Sequence, residues 1–196
     1  MSLGMVGPAA GLFAVTNVDD LVVLALFFAQ GAGRRGVTRR IAAGQYLGFA
    51  AIVAVAVAAA SGATLLPARV IPLLGLVPLA LGVRAAVQLW RDRGRPPPAP
   101  EPDERPGPGG PRVLEVAAVT FANGGDNIGV YVPVLATAGP ATMGLYVAVF
   151  LALVAVWVAA GRYLATRPPV ARALERWGHL VLPAVLVGVG VLILLG

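Results

Sequence analysis

The chain has 196 residues, 58% of them hydrophobic and 12% charged, a composition that suits a bundle solvated by lipid and lacks the polar surface a soluble domain needs. It contains no cysteine, so disulfides and thiolate metal sites are excluded, and any bound cation must use oxygen or the single His179. The net charge of +6 comes from 15 basic residues, all arginine, which fall in short connecting segments instead of one stripe; this reads as membrane topology and not as nucleic-acid binding.

A membrane span needs about 20 mainly apolar residues, and windows near 5–29, 41–62, 67–90, 113–137, 141–165 and 174–195 meet that length. The expected fold class is therefore an all-α integral membrane protein with six transmembrane helices. The opening segment MSLGMVGPAAGLFAV lacks the basic start of a cleaved signal peptide and is expected to be retained. It runs into TNVDDLVVLALFF, which places Asp19 and Asp20 about 22 Å along a helix from residue 5, in the middle third of the first window. Asn17 flanks them. On a continuous helix Thr16 shares their face at i−3 and i−4, and the two carboxylates point about 100° apart, so one is expected to be the direct ligand throughout.

The second window carries Gly44-Gln45-Tyr46-Leu47, and the third carries Pro78 and Gly82, with Arg84 placed to snorkel to the interface. A proline-rich stretch follows, in which missing donors and fixed φ block helix, and an extended, disordered linker is expected over 94–112. It divides the chain into 1–93, with the first three spans, and 113–196, with the last three. In the fourth window, TFANGGDNIGVYVP places Asp126 between Asn123 and Asn127, while Gly124, Gly125, Gly129 and Pro133 weaken the helix at mid-membrane. Broken helices expose carbonyls and amides to a cavity, where transporters use them as ligands. Glu115 and His179 read as interfacial groups, and Trp90, Trp157 and Trp177 as interfacial belts or bundle packing.

Every arginine except Arg69 and Arg84 lies in the first-to-second, third-to-fourth or fifth-to-sixth connection or at its edge, so the positive-inside rule puts both termini outside and the linker inside. Three spans per half then enter the membrane in opposite senses, which permits two inverted three-helix repeats. Asn17-Val18-Asp19-Asp20-Leu21 echoes Asn123-Gly124-Gly125-Asp126-Asn127-Ile128 with one residue inserted. Gly44-Gln45-Tyr46-Leu47 likewise echoes Gly144-Leu145-Tyr146-Val147.

A carboxylate at the bilayer centre costs roughly 2.5–3.5 kcal/mol on insertion scales, so Asp19, Asp20 and Asp126 are expected to serve an ion or proton path. Together with Asn17, Asn123, Asn127 and Thr16 they make an oxygen-rich candidate site for a transported divalent cation, and the same groups could bind a proton and an ammonium group. Asp19, Asp20 and Asp126 would be its metal ligands, with no resident cofactor.

TNVDDLVVLALFF, followed after a proline-rich linker by TFANGGDNIGVYVP, resembles the cadmium resistance transporters, a branch of the lysine-exporter superfamily of six-span efflux proteins. LLGLVPLALGVRAA in the third window and HLVLPAVLVGVGVLIL in the sixth are also similar to that pattern. The resemblance implies that Asn17, Asp19 and Asp20 in one half, with Asn123, Asp126 and Asn127 in the other, stand in the family's paired acidic motifs. Cadmium is soft and favours thiolates, so an oxygen-only site leaves manganese and zinc open as well. The expected protein is a multi-pass transporter of the inner (plasma) membrane, not an enzyme, and free to form a homo-oligomer. With no GxxxxGK[ST] loop, proton or potential coupling supplies the energy. Export of an amino acid or other organic cation is the alternative.

Overall fold

The computed structural model describes residues 3–63, 65, 67, 70–91, 110–167 and 187–195. Residues 94–109 of the expected linker, and Arg172, Arg176, Trp177, His179 and Pro183 of the last window and the connection before it, lie outside the described residues.

All regular structure among the described residues is helical. After a short 3₁₀ turn, Leu3–Met5, the first window forms two helices, α1 (Val6–Thr16) and α2 (Val18–Gln30), bent by 58° at Asn17. The second forms one long helix, α3 (Val37–Ala63), and the third begins as a 3₁₀ helix, Ile71–Gly75, that runs into α4 (Leu76–Arg91). The fourth is again interrupted, giving α5 (Val113–Asn123) and α6 (Gly125–Thr137) on either side of Gly124. The fifth is α7 (Pro140–Leu164), started by a proline in its first turn, where the missing N–H is harmless. The last described segment, 187–195, is helical and sits against the Ile71–Gly75 turn and the start of α4 so closely that a Cβ on Gly190 would lie 2.8 Å from Gly75 O and 2.6 Å from Leu79 N.

At 27 and 25 residues, α3 and α7 are about 40 and 37 Å long, enough to cross a hydrocarbon core of about 30 Å. By length and apolar composition these two helices can span a membrane, and the bent α1–α2 pair makes a third if counted as one. The outward faces are apolar, with Leu26, Leu47, Val55, Leu114 and Val156 exposed, as lipid contact requires.

Packing is reciprocal. α3 lies mainly along α5 and α6, and α7 along α2 and α1, so the long helix of each half covers the interrupted pair of the other. Small residues permit this: a Cβ on Gly44 would sit 2.5 Å from Val116 Cβ, and one on Gly48 would sit 2.5 Å from Ala117 O, so the Gly44-x-x-x-Gly48 face brings α3 against the α5 backbone. Gly161 does the same for α7, its would-be Cβ lying 2.5 Å from Leu24 Cβ on α2. In the centre, Phe13, Phe49, Tyr131, Phe150 and Trp157 form one aromatic cluster. Phe13 meets Phe49 and Trp157 edge-on at 5.3 and 4.9 Å, and Tyr131 meets Phe150 at 4.8 Å. This cluster ties α1, α3, α6 and α7 together directly beneath the two helix interruptions.

Candidate functional site

The interruption at Gly124 follows from its sequence, two glycines with little helix propensity ahead of a helix weakened again at Pro133. The one at Asn17 has another cause. Thr16 Oγ1 donates to Leu12 O at 2.9 Å, and the Asn17 side-chain amide donates to Phe13 O at 2.8 Å beside the Asn17 backbone N–H at 3.1 Å, so two successive polar side chains bond back onto the last turn of α1, a pattern that bends helices. The Asn17 carbonyl accepts from Trp157 Nε1 at 2.6 Å. Trp157 is thus not only a belt or packing residue: its indole N–H satisfies the break.

Thr16 is buried at the end of α1. Its hydroxyl lies 2.9 Å from the Tyr131 hydroxyl, on the α6 side. Asn17 is fully buried and joins the same cluster, its Nδ2 donating to Tyr131 at 2.8 Å and its Oδ1 accepting from Asn127 Nδ2 at 3.2 Å. Asn17 and Asn127 therefore link the two interruptions directly.

Asp19 and Asp20 occupy the first turn of α2, and Asp126 the first turn of α6, where unpaired N–H groups and the helix dipole favour negative charge. Asn123, the last residue of α5, donates from Nδ2 both to Asp20 Oδ1 at 2.7 Å and to Asp19 Oδ2 at 3.1 Å. Both acidic residues of α2 therefore converge on one amide. Asp20 is only 3% exposed, and its second oxygen accepts from Gln45 Nε2 at 3.0 Å; Gln45 Oε1 in turn accepts from Thr120 Oγ1 at 2.7 Å. Asp126 is exposed and is coupled to Asp19 and Asp20 by like-charge repulsion.

The expected site residues thus gather at the two interruptions, in two adjoining networks. Asp19, Asp20 and Asn123 face one another; Thr16 and Asn17 meet on Tyr131, and Asn127 joins them through Asn17; Asp126 is coupled to Asp19 and Asp20 by charge. Among the described residues no three His, Asp or Glu side chains converge closely enough to hold a metal ion by themselves. A cation held here would complete its shell with amide or backbone oxygens or water, as hard cations commonly do.

Gln45, Thr120, Tyr131 and Trp157 were not among the expected site residues. Gln45 and Tyr131 had a signal, as polar groups inside apolar windows beside repeated or motif positions; Thr120 and Trp157 had none that sequence spacing could supply. Glu115 proves to be a cap, accepting the Arg112 backbone N–H at 3.2 Å and closing the start of α5.

A family model described as cadmium resistance transporter matches residues 13–196, which covers both interrupted pairs and nearly the whole chain. Comparisons with curated proteins and with solved structures gave no match.

Proposed function

The chain belongs to the cadmium resistance transporter family, a family of metal-efflux membrane proteins, and on that premise we propose that it is a secondary exporter of a divalent cation, cadmium first among the candidates. The observation that carries this reading is the buried Asp20 carboxylate at the junction of two interrupted helices, held by amide donors from α3 and α5 and joined at Asn123 by Asp19. A carboxylate so placed costs a few kcal/mol, about 2.5–3.5 on insertion scales, and is ordinarily retained for a function.

In this reading the cation enters among Asp19, Asp20 and Asp126, all deprotonated, and protons returning inward displace it. Six spans and two inverted repeats provide the alternating access. Supporting the repeat, α1 and α2 have 11 and 13 residues about a one-residue break, and α5 and α6 have 11 and 13 about theirs. In this register Asp19 pairs with Asp126 and Asp20 with Asn127 without the insertion that the bare motifs suggest. The reciprocal packing of α3 and α7 supports it too. Both termini outside, the linker inside and the inner membrane as location complete the proposal.

An amino-acid exporter would need a roomy site with a cation for the substrate carboxylate. One cavity among the described residues, of about 470 Å³ between α3 and α7, is walled by residues such as Val53, Val57, Met143, Val147 and Leu151 and offers none. The test is growth of a metal-sensitive host. Asp20→Asn and Asp126→Asn, at unchanged membrane abundance, should each abolish cadmium tolerance, because a carboxylate beside a dehydrated cation contributes far more than a neutral amide of the same shape. Tolerance retained by the double variant would reduce the carboxylates to packing devices.

A further inference from the structure

We propose that Asn123 is a built-in competitor for the cargo: its amide nitrogen occupies the point between Asp19 and Asp20 that an entering cation must take. The inference rests on the cation-export reading and assigns Asn123 a role opposite to that of a ligand.

The geometry sets the argument. Asn123 Nδ2 lies 2.7 Å from Asp20 Oδ1 and 3.1 Å from Asp19 Oδ2, so its two hydrogens are divided between two carboxylates. Ionised carboxylates only accept, so chemistry alone decides that the nitrogen and not the oxygen of this amide faces them. A divalent cation holds its oxygens at about 2.0–2.6 Å, closer than either of these contacts, and it repels the amide hydrogens. Cation and amide nitrogen therefore exclude each other.

The two amides on Asp20 are not equivalent. Gln45 is 2% exposed and clamped at both ends, by Asp20 at its nitrogen and by Thr120, itself 1% exposed, at its oxygen. Asn123 is half-buried, and among the described residues no donor meets its Oδ1. It also ends its helix beside Gly124, so no further turn of α5 restrains it. Gln45 holds Asp20 still while Asn123 yields. An empty site is kept satisfied by the amide, a cation enters by displacing it, and the returning amide helps to expel the cation.

Such a competitor lowers affinity and raises turnover, whereas a ligand raises affinity. The experiment compares the purified full chain in lipid nanodiscs with Asn123→Ala, Asn123→Ser and Asp20→Asn, titrating Cd²⁺ by calorimetry and following Cd²⁺ flux in proteoliposomes. Both Asn123 variants should bind Cd²⁺ about tenfold more tightly, since a charge-assisted hydrogen bond no longer has to be broken. Their KM and maximal flux should fall together, while Asp20→Asn loses binding. Equal or weaker Cd²⁺ binding by Asn123→Ala and Asn123→Ser overturns the inference and makes Asn123 a ligand or a spacer. If Asn123→Ala does not fold, the serine variant, too short to reach both carboxylates, decides alone. A wild-type chain that binds no Cd²⁺ refutes the cargo reading instead. In that case the metal-free unfolding midpoint still judges Asn123: it must drop when the shared donor is removed, and an unchanged midpoint overturns the inference.

Discussion

Replacing Gln45 by methionine keeps the length and flexibility of the side chain and removes both of its hydrogen-bonding ends. Gln45 Nε2 donates to Asp20 Oδ2 at 3.0 Å, and both residues are buried, so the bond is charge-assisted and worth about 1.5–3 kcal/mol. The Thr120 hydroxyl also loses its acceptor, but a helical threonine can turn to the carbonyl four residues back, so this adds only about 0.6 kcal/mol. Gln45→Met should therefore destabilise the protein by roughly 2–4 kcal/mol, a drop of at least about 30-fold in the folded-to-unfolded ratio. The measurement is equilibrium unfolding in mixed micelles followed by circular dichroism. Thr120→Val should cost less, and the double variant about as much as Gln45→Met alone, because Thr120 acts on Asp20 only through Gln45. A Gln45→Met protein within about 0.5 kcal/mol of wild type, or strictly additive losses, would refute the relay.

Gly48→Ala should cost about 1–3 kcal/mol in the same assay, because its Cβ would sit 2.5 Å from Ala117 O and push α3 off α5, whereas Gly62→Ala, with nothing within 4 Å, should be neutral or slightly stabilising. Trp157→Phe keeps the ring against Phe13 but leaves the Asn17 carbonyl without its donor, and should lower stability by about 1 kcal/mol; no change would mean that the break holds without it. The chain lacks cysteine, so single-cysteine variants report topology cleanly: Pro97→Cys should resist a membrane-impermeant maleimide in intact cells and Gly139→Cys should react, and the reverse pattern would invert the proposed orientation.

The helical segments were legible because lipid imposes an apolar run of fixed length, and the expected windows coincide closely with α1–α2, α3, α5–α6 and α7. The break at Gly124 was legible too, since paired glycines state it locally. The break at Asn17 was not: no glycine or proline marks it, and there Thr16 and Asn17 bond back onto carbonyls of their own helix while a tryptophan 140 residues away donates to the Asn17 carbonyl. The acidic and amide residues were found because polar groups in apolar windows are conspicuous. Gln45 and Thr120 escaped because their role exists only once Gly44 and Gly48 let α3 reach α5, a long-range packing fact that spacing along the chain does not contain.

Aligned about their breaks, the two interrupted pairs match Asp19 with Asp126 but Asp20 with Asn127. A pair of identical halves would carry an even number of carboxylates here. This chain carries three, with the odd one on the first half. A divalent ion neutralises two of them, and three less two leaves one negative charge in a medium that penalises any net charge. That remainder follows from the odd count of acidic residues at the junction, so in the proposed exchange protons displace the metal from a site left one negative charge short of neutral. Restoring the match, by Asp20→Asn or Asn127→Asp, would change the parity of that count along with its size.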